Sequence, residues 1–212
     1  MNKKVIIFVT AMVLIFAMVT GATFAYFFSN STEITNTFKP SKFGTPAVNE
    51  TTGTEYVAIP GVNLTKNPSV TYTVTSGSAT QVSAYLYLAV KASSDWTVST
   101  NGVTYTQKIG TVTEALKFTI NTTNWKHLGT ADGYHIYVYV KSSAEQKVAA
   151  SITTGIGVIT NNTITVSSSI TKAQMEAETA LGSVAFKAYA VQVNTFDTAL
   201  AAWNAVNTAI TA

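Results

Sequence analysis

Val82-Ser-Ala-Tyr-Leu-Tyr-Leu-Ala-Val90 decides the fold. Val82, Ala84, Leu86, Leu88 and Val90 fall on one side of a period-2 strand, and Ser83, Tyr85 and Tyr87 on the other. The same alternation continues outward in both directions. Val70, Tyr72 and Val74 alternate with Thr71, Thr73 and Thr75, and Ile136, Val138 and Val140 with His135, Tyr137, Tyr139 and Lys141. Phe118 with Ile120, Ile164 with Val166, and the series Val184, Phe186, Ala188, Ala190 mark further strands. Ile34, Phe38 and the Val57-Ile59 stretch bring the expectation to roughly eight or nine, built of the β-branched and aromatic residues that suit a pleated surface. Pro60-Gly61, Ser76-Gly77, Asn101-Gly102, Asp132-Gly133 and Asn161-Asn162 separate them as turns. Many short strands joined by antiparallel turn chemistry predict an all-β fold, a jelly-roll-type antiparallel β-sandwich.

Two segments break the period. Thr171-Lys-Ala-Gln174 has the form of a capping box, and Met175 to Leu181 continues as a short crossover helix up to Gly182. The Ala-rich tail from Asp197 carries Leu200, Trp203 and Val206 at helical spacing, which predicts a short C-terminal helix with a packing face.

The N-terminus has a different character. Asn2-Lys3-Lys4 is a basic start, Val5 to Val19 an almost unbroken apolar run, and Gly21-Ala-Thr-Phe-Ala25 a small-residue exit. That is the layout of a secretory signal peptide cut between Ala25 and Tyr26 by signal peptidase, and it predicts a secreted or cell-surface protein. The alternative is a retained helix, since roughly 20 apolar residues suffice to cross a bilayer. The expected organisation is therefore a signal over residues 1–25, an N-terminal segment over 26–38, and one sandwich domain over 39–212.

Composition narrows the function. Charged residues make up only 11% of the chain, and all basic side chains are lysine. The net charge of +3 includes Lys3 and Lys4, so the mature chain is near neutral. Nucleic-acid binding calls for dense basic patches and is not expected. Few charges also mean little colloidal repulsion, which favours self-association. Cysteine is absent, and a domain of this size can bury enough core without disulfides. Five Asn-x-Ser/Thr sequons, at Asn30, Asn49, Asn63, Asn121 and Asn161, are most simply a by-product of Thr-rich composition.

Material for catalysis is scarce. The chain has two histidines, His127 and His135, which flank the Asp132-Gly133 turn and could approach one another across a hairpin; the plain reading is a pair of polar residues on half-exposed strands. There is no His-Glu-x-x-His, no Gly-x-Ser-x-Gly elbow, and Gly155-Ile-Gly157 lacks the third glycine of a dinucleotide loop. Glu176 and Glu178 lie two apart on a helix and diverge. The expectation is no enzyme, no catalytic residue, no cofactor and no bound metal.

Several local patterns then resemble one family. Gly21-Ala-Thr-Phe-Ala25-Tyr26-Phe27 followed by Ile34-Thr-Asn-Thr-Phe38 is similar to the start of the TasA/camelysin-type secreted proteins. Ile59-Pro-Gly61 through Pro68-Ser-Val70, the Val82–Val90 strand, Trp125 with Asp132-Gly-Tyr134, and Phe186-Lys-Ala-Tyr-Ala190 with Ala202-Trp203 resemble later parts of the same family, in order. The chain departs from the pattern at Phe28-Ser29 and at Pro40-Ser-Lys-Phe43. The resemblance implies a subunit of extracellular fibres, in biofilm matrix or on bacterial and archaeal surfaces, in which one subunit's N-terminal strand completes its neighbour's sheet.

Elementary physics leads to the same expectation. A freed N-terminus with Tyr26, Phe27, Phe28, Ile34 and Phe38 frays unless it is tied into a sheet. Each large apolar side chain contributes about 1.5–3 kcal/mol when buried, so a groove that accepts this segment gains several times that. These five residues are the expected donor-strand contact, and the chain itself the expected partner, because a head-to-tail strand exchange does not close and yields a filament. The alternative is that the segment folds back as the first strand of its own sandwich. A different class of function, a membrane-anchored binding or adhesion module, would use Tyr85, Tyr87, Tyr137 and Tyr139 as an exposed ligand face.

Overall fold

A computed structural model describes residues 28–30, 44–51, 56–74, 82–178, 181–193 and 196–211. The expected signal segment 1–25, the cut at Ala25 and Tyr26, and Phe27, Ile34 and Phe38 lie outside the described residues, as does the Ser76-Gly77 turn. Strands are numbered in chain order. The stretch that opened the reading forms the middle strand, β5 (Ala84–Ala92), of an antiparallel sheet. On one side it pairs along its whole length with β15 (Val184–Gln192), from Val184 opposite Ala92 to Gln192 opposite Ala84. On the other side it pairs with β10 (Tyr134–Lys141) and then with the short β12 (Lys147–Val148). β9 (Trp125–Ala131) lies beyond β10, the two-residue β11 (Ala144–Glu145) extends the far end of β10, and β1 (Phe28–Asn30) lies beyond β15.

Two smaller antiparallel sheets form the facing layer. One orders β13 (Ile152–Gly157), β4 (Ser69–Thr73) and β2 (Thr45–Asn49); the other orders β3 (Leu64–Thr65), β14 (Thr163–Val166), β8 (Val112–Thr119), β7 (Thr104–Ile109) and β6 (Trp96–Val98). The all-β sandwich expected from the alternation is what forms. A bridge between Ile120 and Ile159 joins the two small sheets. So does the ion pair of Lys66, just after β3, with Glu50, just after β2, at 2.9 Å. Lys66 is only 9% exposed; its charge is offset by that carboxylate and by the Tyr56 ring 4.6 Å away.

The core has two parts. Between the layers, Leu86, Leu88 and Val90 of β5 meet Val70, Tyr72, Tyr105, Phe118, Ile120 and Ile164. The opposite face of the central sheet is buried as well. There Tyr85, Tyr87, Ala89, Ile136, Val138 and Val191 pack beneath the C-terminal segment with Ala199, Ala202 and Trp203. Each residue from Ala84 to Val90 is at most 1% exposed, so β5 is sealed on both sides.

The crossover helix and the C-terminal helix expected after the signal are both found among the described residues. α1 (Lys172–Ala177) begins at the predicted capping box, with the Gln174 amide nitrogen donating to Thr171 Oγ1 and the Thr171 amide donating to Gln174 Oε1. It ends at Ala177, short of the expected Leu181, because Glu178 already has extended backbone. α2 (Ala199–Val206) starts at Thr198, whose hydroxyl accepts from the Ala201 amide. The Glu145 carboxylate accepts from the Ala199 amide at 2.9 Å and faces the positive end of the helix. Its buried residues are Ala199, Ala202 and Trp203, with Val206 packed on the same core, so of the expected stripe only Leu200, 40% exposed, turns away.

Other expectations are corrected. The described residues contain fifteen strands rather than eight or nine. Val57-Ile59 is not one of them: Val57 is 79% exposed, and Ile59 makes only an isolated bridge to Val62 around Pro60-Gly61. The four tyrosines offered as a ligand face do not share one. Tyr87 stands opposite Val138, and Tyr137 opposite Leu88, on different sides of the sheet; Tyr85, Tyr87 and Tyr137 are buried. The Asp132-Gly133 turn is as expected, with both residues at positive φ, the geometry of a tight hairpin that matches strand twist.

Candidate functional site

Of the expected contact residues, Phe28 falls in a described strand. Phe28, Ser29 and Asn30 pair antiparallel with Val191, Ala190 and Tyr189, so β1 is the marginal strand of the central sheet, next to β15 of the same chain. Phe28–Asn30 thus lie against β15 of their own chain. β15 suits the place. Ala188 and Ala190, both fully buried, stand opposite Leu88 and Leu86 of β5, small against large, and keep the strand close to the interlayer core. A sheet margin presents a row of backbone donors and acceptors to any extended segment that can reach it.

The opposite margin is treated in the same way. Thr211 bridges to Thr130 of β9 through two backbone hydrogen bonds of 2.8 Å. Gly129 makes this approach possible, because a Cβ there would lie 2.5 Å from the Thr211 carbonyl oxygen. The two margins of the central sheet are therefore held by segments from the two ends of the chain. Nothing in the local sequence around Thr130, Thr211 or Val191 announces these pairings.

The two histidines do meet. A register shift between Ile136 and Tyr137 in the β9–β10 pair sets His127 opposite Tyr137 and His135 opposite Thr130. The imidazoles tilt together with centroids 5.2 Å apart, and Nε2 of His127 lies 3.1 Å from Nδ1 of His135. Burial lowers the proton affinity of both rings; for His127 the second cause is His135 itself, opposed by a hydrogen bond to the Gly129 backbone. Beneath them lies a tyrosine pair. Tyr105 and Tyr137 hydroxyls are 2.7 Å apart, and Tyr137 also donates to the Gly102 carbonyl. Burial holds both phenols well above their ordinary pKa. The ring of Tyr105 stacks on Phe118 and meets His135 edge-on.

Among the described residues there is no group of three or more His, Cys, Asp or Glu side chains able to hold a metal ion. Two sequon asparagines, Asn63 and Asn161, are exposed on the rim of one open depression with Lys117 and Thr165. No family model matches the chain, and neither a curated protein nor a solved structure matches it.

Proposed function

We propose that this chain is an exported structural subunit that polymerises into extracellular fibres of the TasA/camelysin type, without catalysis. Its N-terminal segment, Tyr26 to Phe38, would lie against β15 of the next subunit rather than of its own chain. The observation that carries the reading is the place of β1, a three-residue strand at the margin of the central sheet, bonded to β15. Exchange of that strand between copies keeps the same backbone pairs, so it costs little beyond the connection's freedom. The five residues from Lys39 to Phe43, which link that strand to the sandwich, can reach up to roughly 17 Å when extended. Each subunit then gives one strand and receives one, a contact that propagates rather than closes. The low charge supports association, since 11% charged residues offer weak repulsion between copies.

The test is negative-stain microscopy of protein starting at Tyr26 beside protein starting at Lys39. Filaments from the first and none from the second are expected. Filaments from neither version would overturn the polymer reading, and filaments from both would place the contact elsewhere on the sandwich.

A further inference from the structure

All imidazole in this chain is in one place. It has two histidines and no cysteine, and the β9–β10 hairpin brings those two histidines together. Two ring nitrogens 3.1 Å apart can share one hydrogen, or they can share one cation. With metal–nitrogen bonds of about 2.0–2.1 Å, that separation corresponds to an N–metal–N angle of about 95–100°, between the square and tetrahedral values. We propose that His127 Nε2 and His135 Nδ1 form a binding site for a divalent transition cation of the copper(II) type.

Two features support the site. The first is orientation. The two rings tilt by 34° and turn one nitrogen each toward the other, Nε2 of His127 and Nδ1 of His135. The second is rigidity. Both residues sit on paired strands, and the His127 ring packs against Gly102, where a Cβ would lie 2.5 Å from its Cδ2, Cε1 and Nε2.

Binding to two neutral imidazoles needs no net loss of protons. The ring that carries the shared hydrogen moves it to its other nitrogen, so each imidazole keeps one N–H while the nitrogen facing its partner coordinates. The rings of Tyr105 and Tyr137 pack on the pair. An all-imidazole donor set disfavours calcium and magnesium, which prefer oxygen, and copper(II) leads the affinity order for such nitrogen ligands. Water completes the coordination.

The test is titration of the untagged exported protein with copper(II) sulfate alone in a non-coordinating buffer, followed by calorimetry and electron paramagnetic resonance. One equivalent should saturate, with hyperfine structure from two nitrogens, and His127→Gln and His135→Gln should each weaken binding at least tenfold. Binding that survives both substitutions, or no saturable equivalent, overturns the site. A second measurement avoids the variants altogether. In ¹⁵N-detected spectra of the unmodified protein, one equivalent of zinc(II) should shift both imidazoles together, and imidazoles that do not move would sink the proposal.

Discussion

The hydroxyl of Tyr87 donates to the Ala199 carbonyl at 2.7 Å while its ring packs 5.0 Å from that of Trp203, so one β5 side chain holds the C-terminal helix at its first residue and at its middle. Tyr85 adds a bond to the Asp197 carbonyl at 3.1 Å, and Trp203 Nε1 donates to Thr208. The tail is thereby a wall of the second core.

Substitutions here should separate the two contributions. Trp203→Ala should cost about 3–5 kcal/mol, the range for removing a buried aromatic. Tyr87→Phe should cost about 1 kcal/mol, the net value of one hydrogen bond. Urea unfolding followed by tyrosine fluorescence and circular dichroism would measure both. If Trp203→Ala leaves the main transition unmoved, α2 is outside the cooperative unit.

Two glycines make a matched pair. Gly102 has φ +69°, and a Cβ there would meet the His127 ring, so Gly102→Ala should lose about 1–3 kcal/mol. Gly157 has nothing within 4 Å of the same position. Gly157→Ala should be neutral or gain up to about 1 kcal/mol by restricting the unfolded chain. Thermal melts of the two variants compare them directly, and equal losses would contradict the packing around His127.

Stability should fall steeply in alkali. Tyr87, Tyr105 and Tyr137 have folded pKa values raised by burial above the ordinary 10.0. Above pH 10 the unfolded state releases these protons and the folded state keeps them, so the unfolded state binds fewer. Folding free energy is then complete below pH 10 and is lost as pH rises, by about 1.4 kcal/mol per unit for each such tyrosine. Urea midpoints between pH 9 and 11.5 should show the decline, and Tyr137→Phe should flatten it. A flat profile for the unmodified chain would mean these phenols are open to water.

The absence of cysteine allows a clean test of strand exchange. Phe28→Cys and Val191→Cys occupy directly opposed positions, where Cα atoms lie about 4.5–5.5 Å apart and a disulfide can form. The double variant should cross-link within one chain as monomer and into covalent ladders as fibre. A mixture of the two single variants should give Phe28→Cys/Val191→Cys heterodimers only when strands pass between copies. Gel electrophoresis under non-reducing conditions reads both, and monomers alone from assembled material would rule out exchange at this edge.

What the sequence determined by itself was local. Alternation in Val70–Val74, Ala84–Val90, Ile136–Val140 and Val184–Ala190 specified strands, because a period of two is a property of each segment alone. The Thr171 capping box and the Asp132-Gly133 turn were legible for the same reason: their bonds close within four residues. β7 escaped notice because its inward face, Tyr105, Gln107 and Ile109, carries a buried polar residue that breaks the apolar pattern. β2 and β6 are too polar or too short to stand out from the Thr-rich background. The tertiary structure alone decided which faces are covered. Tyr85 and Tyr87 read as an outer face because half-polar tyrosine suits both a wet surface and a buried one whose hydroxyls find carbonyls, and those carbonyls belong to residues 112 positions away. It alone chose the neighbours of β15 and the register shift that sets the His127 and His135 rings side by side across the expected hairpin. Strand order and a one-residue register shift depend on how the whole chain packs, and no segment carries that information within itself.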